Sequence, residues 1–156
     1  MDHALRRRTT PLVLAAAAFI AAGGYIHLRE WLDTYRDLPS SVPGAAVVRV
    51  GFPINVGLSA LLAVALVVTL FAKRSLAPLV IAAAVAFEAG SLGALILSRT
   101  GSLAGWMEPV WTRGANQTRA VEIGALVALA AAAAMATVQR RSSARVATTH
   151  TAPAPA

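Results

Sequence analysis

Four stretches of this chain run for about the depth of a bilayer's hydrocarbon core with almost no charge, and no other feature narrows the possible folds as far. Pro11 to Leu28 contains no Asp, Glu, Lys or Arg, and Val50 to Ala72 is likewise uncharged. Ser75 to Ser98 holds one charge-capable residue, Glu88, and Ala120 to Gln139 holds one, Glu122. A helix needs roughly 20 mostly apolar residues to cross a core about 30 Å thick. Helices of a water-soluble bundle keep a polar face, yet Leu58 to Ala72 offers nothing more polar than Ser59 and Thr69. The runs are long, rich in Ala and Leu and free of period-two alternation, so helices are expected rather than barrel strands. The reading is an all-α, four-helix transmembrane bundle: an N-terminal segment over 1–10, spans over 11–28, 50–72, 75–98 and 120–139, and a tail over 140–156.

Composition supports lipid as the surrounding medium. Only 13% of the residues are charged, against about one quarter in ordinary soluble domains. The net charge of +7 comes from 14 Lys and Arg against 7 Asp and Glu. These cations cluster beside the apolar runs, where they read as topology signals and contacts to anionic lipid, not as a nucleic-acid surface. Arg6, Arg7, Arg8, Lys73, Arg74, Arg140, Arg141 and Arg145 fall on one side with Asp2 as their only acid. Arg29, Arg36, Arg49, Arg99, Arg113 and Arg119 fall on the other, mixed with Glu30, Asp33, Asp37 and Glu108. The positive-inside rule then places both termini in the cytoplasm, with a tight turn at Lys73 and Arg74 making spans two and three an antiparallel hairpin. Arg-rich usage suggests a bacterial inner membrane. The three arginines before span one, with small residues from Ala21 to Gly24, also fit a signal peptide, although the apolar run is longer than a usual signal core. The tail, RRSSARVATTHTAPAPA, lacks large apolar residues and is expected to be disordered.

Chemistry-bearing residues are few. Cysteine is absent, which excludes disulfides, thiol catalysis, iron–sulfur clusters and Cys-rich zinc sites. No nucleophile elbow, H-E-x-x-H or phosphate-cradling loop occurs, and one intramembrane histidine cannot supply two axial haem ligands. No catalytic residue, metal site or cofactor is expected. Glu88 lies about a dozen residues into its helix, roughly 18 Å at 1.5 Å per residue, near mid-membrane, where an acid is costly and must be covered. It reads either as a proton relay or as a helix-packing residue. Its helical face, with Ile81, Val85, Leu92 and Leu95, lies opposite a small-residue face of Ala83, Ala86, Gly90, Gly93 and Leu97. The small face is expected to pack on a neighbouring helix. Glu88 then requires another cover, within the chain or from a second copy. His27, Asn55, Arg99 and Glu122 reach one level at the far ends of their spans, and a ligand or quinone pocket is possible there. Against that, Glu122 in a first helical turn suits the macrodipole and has Arg119 at i−3. Leu28, Trp31, Leu32 and Tyr35 form an apolar stripe that extends span one or lies on the membrane, ended by Pro39 and Pro43. The loop GSLAGWMEPVWTR reads as a second interfacial segment.

The stretches HLREWLDTYRDLP, FPIN opening span two, LSRTGSLAGWMEP leaving span three and VE opening span four resemble a group of small four-span integral membrane proteins of actinobacteria. The resemblance covers the membrane part and omits both tails. It implies topology and the placement of His27, Tyr35, Arg36, Asn55, Arg99, Glu108 and Glu122, and it carries no activity, since none is assigned to the group. Glu88 lies outside the matching stretches. The sequence thus points to an integral membrane protein with a structural or interaction role, an accessory subunit whose partners are the lipid bilayer and a second copy or larger complex. The alternative is a small proton-coupled transporter or a quinone-associated redox module.

Overall fold

The computed structural model describes residues 2–71 and 76–149, with side chains placed from Thr9 to Phe71 and from Leu76 to Val138. Helix α1 covers Asp2–Glu30 and passes directly into a π-helical turn, Trp31–Tyr35. Helices α2 (Ala45–Thr69), α3 (Ala77–Thr100) and α4 (Arg113–Thr149) follow. Among the described residues there is no strand, only an isolated bridge between Leu103 and Trp106. Four segments, Thr9–Tyr35, Ala45–Thr69, Ala77–Thr100 and Arg113–Val138, are long and apolar enough to cross a membrane.

The helices begin and end at positions that local chemistry explains. The α1 helix passes through Pro11 instead of starting there, and the Leu28–Tyr35 stripe extends span one. Helix α4 starts at Arg113, well before the expected Ala120, because Thr112 caps it: its hydroxyl accepts from the Ala115 N–H at 3.1 Å. At its other end α4 runs past Gln139 to Thr149. The helix thus covers 140–149, the first part of the segment read from the sequence as a tail. Residues 150–156 and the Lys73–Arg74 turn lie outside the described residues. Pro78 sits in the first turn of α3, where a missing N–H is harmless. Pro53 is different: it lies inside α2 and cannot donate to the carbonyl one turn earlier, that of Arg49. The Trp31 indole N–H fills that vacancy, donating to the Arg49 oxygen at 3.0 Å.

Packing centres on α1, which contacts both α2 and α4, while α3 closes the bundle against α4 and α2. Helix α1 buries Val13, Ala16, Ala17 and Ile20, and α4 buries Ala125, Ala128, Leu129 and Ala132. Both sets repeat at i, i+3, i+4, i+7, so two narrow small-residue seams meet. Helices α1 and α2 touch where a Cβ on Gly24 would stand only 2.7 Å from the Ser59 Cβ. The large apolar side chains mostly point away from the bundle, as Leu61 (64% exposed) and Leu79 (69%) show.

Helix α3 reverses the face expected from its small residues. Ala83, Ala86, Gly90, Gly93 and Leu97 are exposed, and a Cβ at Gly90 or Gly93 would meet nothing within 4 Å. Ala84, Glu88 and Ser98 are buried instead. The reason is energetic: leaving a carboxyl in hydrocarbon costs several kcal/mol, more than the dispersion contacts a glycine stripe gains. Glu88, at 3% exposure, is covered within the chain and needs no second copy.

The Trp31–Pro53 relation yields a double-mutant test. Trp31→Phe leaves the Arg49 carbonyl without its donor and is expected to cost about 1–3 kcal/mol. Adding Pro53→Ala restores a backbone donor, so the pair should cost clearly less than the sum of the single changes, measured by reversible unfolding in mixed micelles.

Candidate functional site: a buried polar network supplied by all four helices

Each helix contributes polar side chains to one cluster inside the bundle. Helix α1 supplies His27, α2 supplies Asn55 and Ser59, α3 supplies Glu88 and Ser91, and α4 supplies Glu122. Ser59 donates to the Asn55 Oδ1 at 3.2 Å, the Asn55 Nδ2 donates to the Ser91 hydroxyl at 3.0 Å, and Ser91 donates to the Glu122 Oε1 at 2.5 Å. Every link points toward Glu122. That carboxylate is 2% exposed, and the His27 Nε2 stands 3.7 Å from its Oε1, inside ion-pair range but too long for a hydrogen bond. Glu88, one turn deeper than Ser91 on the same face of α3, lies within electrostatic reach of Glu122.

The network is incomplete in a specific way. The Glu122 Oε2 and both ring nitrogens of His27 are buried without a hydrogen-bond partner. Buried polar atoms are rarely left so, because each forfeits roughly 1–3 kcal/mol. An unpartnered imidazole beside a carboxyl that keeps one oxygen unpartnered is a place where a proton can be held or exchanged. Among the described residues no group of three His, Asp or Glu side chains is arranged to hold a metal ion.

A second polar layer closes the end of the bundle opposite the termini. Arg99, its side chain 5% exposed, pairs with the Glu108 Oε2 at 2.9 Å and donates to the carbonyls of Glu108 at 2.6 Å and Val110 at 2.8 Å. The Tyr35 hydroxyl donates to the same Glu108 oxygen at 2.7 Å. The π-turn makes this possible: Arg36 N–H bonds the Trp31 carbonyl, and the wider turn sets Tyr35 into the core at 4% exposure. Phe52 lies between the layers, edge-on to His27 at 5.0 Å and tilted against Tyr35 at 4.7 Å. Tyr35 in turn meets Trp106 edge-on. Gly44, at φ +71°, has no side chain to obstruct the Gly105–Trp106 backbone packed on it, so the two long connections interlock.

Of the four residues expected at one polar level, the structure brings together His27, Asn55 and Glu122. Arg99 is not with them; it belongs to the outer layer with Glu108. Glu122 also differs from its simpler expectation. Because α4 begins at Arg113, Glu122 is well past the first turn, and Arg119 does not pair with it. Arg119 instead donates to Asn116 at 3.1 Å and lies over the Trp111 ring at 4.7 Å. Sequence reasoning missed Ser59 and Ser91 as network members. Their signal was spacing: Ser59 is i+4 from Asn55 and Ser91 is i+3 from Glu88.

Fold and network define a helical bundle with four candidate membrane spans and an ionisable core. Comparison of the chain with protein-family models, with curated proteins and with solved structures finds no match.

The two layers predict unequal arginine effects. Arg99→Leu strands Glu108 and is expected to lower stability by about 3 kcal/mol, the low end for a broken buried pair because Glu108 keeps some exposure. Arg36→Leu, which removes an exposed pair with Asp37, should change stability by at most about 0.5 kcal/mol in the same micellar unfolding assay.

Proposed function

We propose that this chain is a multi-pass protein of a bacterial cell (inner) membrane, both termini cytoplasmic, whose bundle carries a proton-binding centre at His27 and Glu122. The observation that carries this reading is the approach of the His27 Nε2 to within 3.7 Å of the Glu122 Oε1, with both ring nitrogens and the second carboxyl oxygen, Oε2, buried and unpartnered. Among the described residues no Lys or Arg enters the network, so its net charge is set by the protons that His27, Glu122 and Glu88 share among themselves. In a medium where an unbalanced charge is expensive, such a cluster responds to a change in proton supply by moving protons. His27 lies at the outer edge of the network, with 13% of its side chain exposed. Glu122 is the acceptor, held in place by Ser91 and Asn55, and Glu88 is the next carboxyl inward. This is the arrangement of a small proton-coupled module.

An accessory role in a larger complex, or a homo-oligomer, is a second reading. It is favoured by the outward small face of α3, where Gly90 and Gly93 leave open space for another helix.

Infrared difference spectroscopy on the protein in bilayers tests the proton-binding centre. A step from about pH 8 to about pH 5 should convert a buried carboxylate band into a protonated carboxyl stretch. Glu122→Gln should remove that change while the helical amide bands persist. An unchanged difference spectrum in the variant assigns the proton elsewhere and sinks the reading.

Orientation has its own test, helped by the absence of cysteine. Single cysteines at Ser41→Cys and Met107→Cys should react with a membrane-impermeant maleimide on intact cells. Ser142→Cys should react only after permeabilisation.

A further inference from the structure

The end of the bundle that carries both termini holds a cavity of about 500 Å³, well separated from the His27–Glu122 network and walled by all four helices. Its volume falls in the range of ligand pockets. It exists because α3 and α4 present small side chains there, Ala82, Ala132, Ala133 and Ala136, while Val13 and Leu70 supply bulk from the opposite side. Two of the threonines in the wall are already engaged: Thr69 donates to the Leu66 carbonyl at 2.6 Å and Thr137 to the Ala134 carbonyl at 2.7 Å. Nine of the thirteen lining residues are Ala, Val, Leu, Ile or Pro, so the wall is mainly apolar. A mainly apolar wall of this kind suits an apolar guest.

Charge at the same end indicates what such a guest carries at its head. The α1 backbone places Arg6, Arg7 and Arg8 in the turns directly before Thr9, which lines the cavity, and α4 places Arg140 and Arg141 directly after Thr137, which also lines it. Asp2 is the only acid in these two stretches. Basic side chains beside an interhelical apolar space favour anionic lipid headgroups over zwitterionic ones. We propose that the cavity is a binding site for one anionic phospholipid, an acyl chain seated between the four helix ends and the headgroup at the level of the arginine-bearing turns of α1 and α4. The claim is independent of the proton-binding centre at the other end.

The test uses the full chain purified in mild detergent, probed with phosphatidylglycerol, with phosphatidylcholine and with inorganic phosphate. Native mass spectrometry is expected to show a single phosphatidylglycerol retained per chain, and added phosphatidylglycerol should raise the unfolding temperature where phosphatidylcholine and phosphate do not. Ala133→Phe, which fills the cavity, should reduce retention by about tenfold. Leu61→Phe, on a remote exposed face of α2, should leave it unchanged. Arg140→Gln with Arg141→Gln should abolish the preference for the anionic lipid. Equal retention and equal stabilisation by phosphatidylcholine overturn the headgroup assignment, and undiminished retention in Ala133→Phe overturns the cavity assignment. If that variant does not fold, the wild-type lipid comparison still decides, because stabilisation by phosphate alone or by neither lipid refutes a seated acyl chain.

Discussion

The desolvation of ionisable side chains governs how these four helices turn toward one another. Apolar packing alone is nearly indifferent here, because each of the four helices long and apolar enough to cross a membrane is greasy on every side, and contact with Leu or Val favours no one face. Carboxyls are not indifferent. Glu88 and Glu122 rotate α3 and α4 so that both are 3% exposed or less. Ser91, Asn55 and Ser59 then link α3 and α4 to α2. The small residues of α1 and α4 make the resulting approach close, and the glycines of α3 are left on the outside.

The same demand for satisfied polar groups shapes the end opposite the termini. A proline inside a helix leaves a carbonyl without its donor, and Trp31 reaches across from α1 to supply one. Arg99 gathers carbonyls from the connection between α3 and α4, and its ion pair with Glu108 is shared with Tyr35. The long connections are therefore not free loops lying on a surface. Trp106 of the second connection packs on Tyr35, which packs on Phe52, which in turn meets His27, so an aromatic layer lies between the two polar layers.

Much of the architecture was legible in the residues. Four long apolar runs, two uncharged and two with a single glutamate, announce four helices, and the stripe from Leu28 to Tyr35 announces the extension of the first. The level shared by His27, Asn55 and Glu122 followed from counting residues to the span ends. Where the reading departed from the structure, competing local signals were at work. The glycine spacing of α3 suggested an interface, but spacing says nothing about which partner is present. Arg99 closes its span at a similar depth to the others, yet a longer side chain with several donors finds a better set of acceptors in the adjoining loop. The cap at Thr112 moved the start of α4 outward and took Glu122 away from the helix end.

The amino-acid order by itself determined the number of helices, their apolar character and the identity of the few polar groups they carry, because the free energy of transfer into hydrocarbon is a property of composition along a segment. Which of those polar groups meet was decided only by tertiary structure. Helical phase, crossing distance at Gly24 and Ser59, and the register of four elements must all be set before Ser91 can lie between Asn55 and Glu122. These are relations between segments distant along the chain, and no local pattern encodes them.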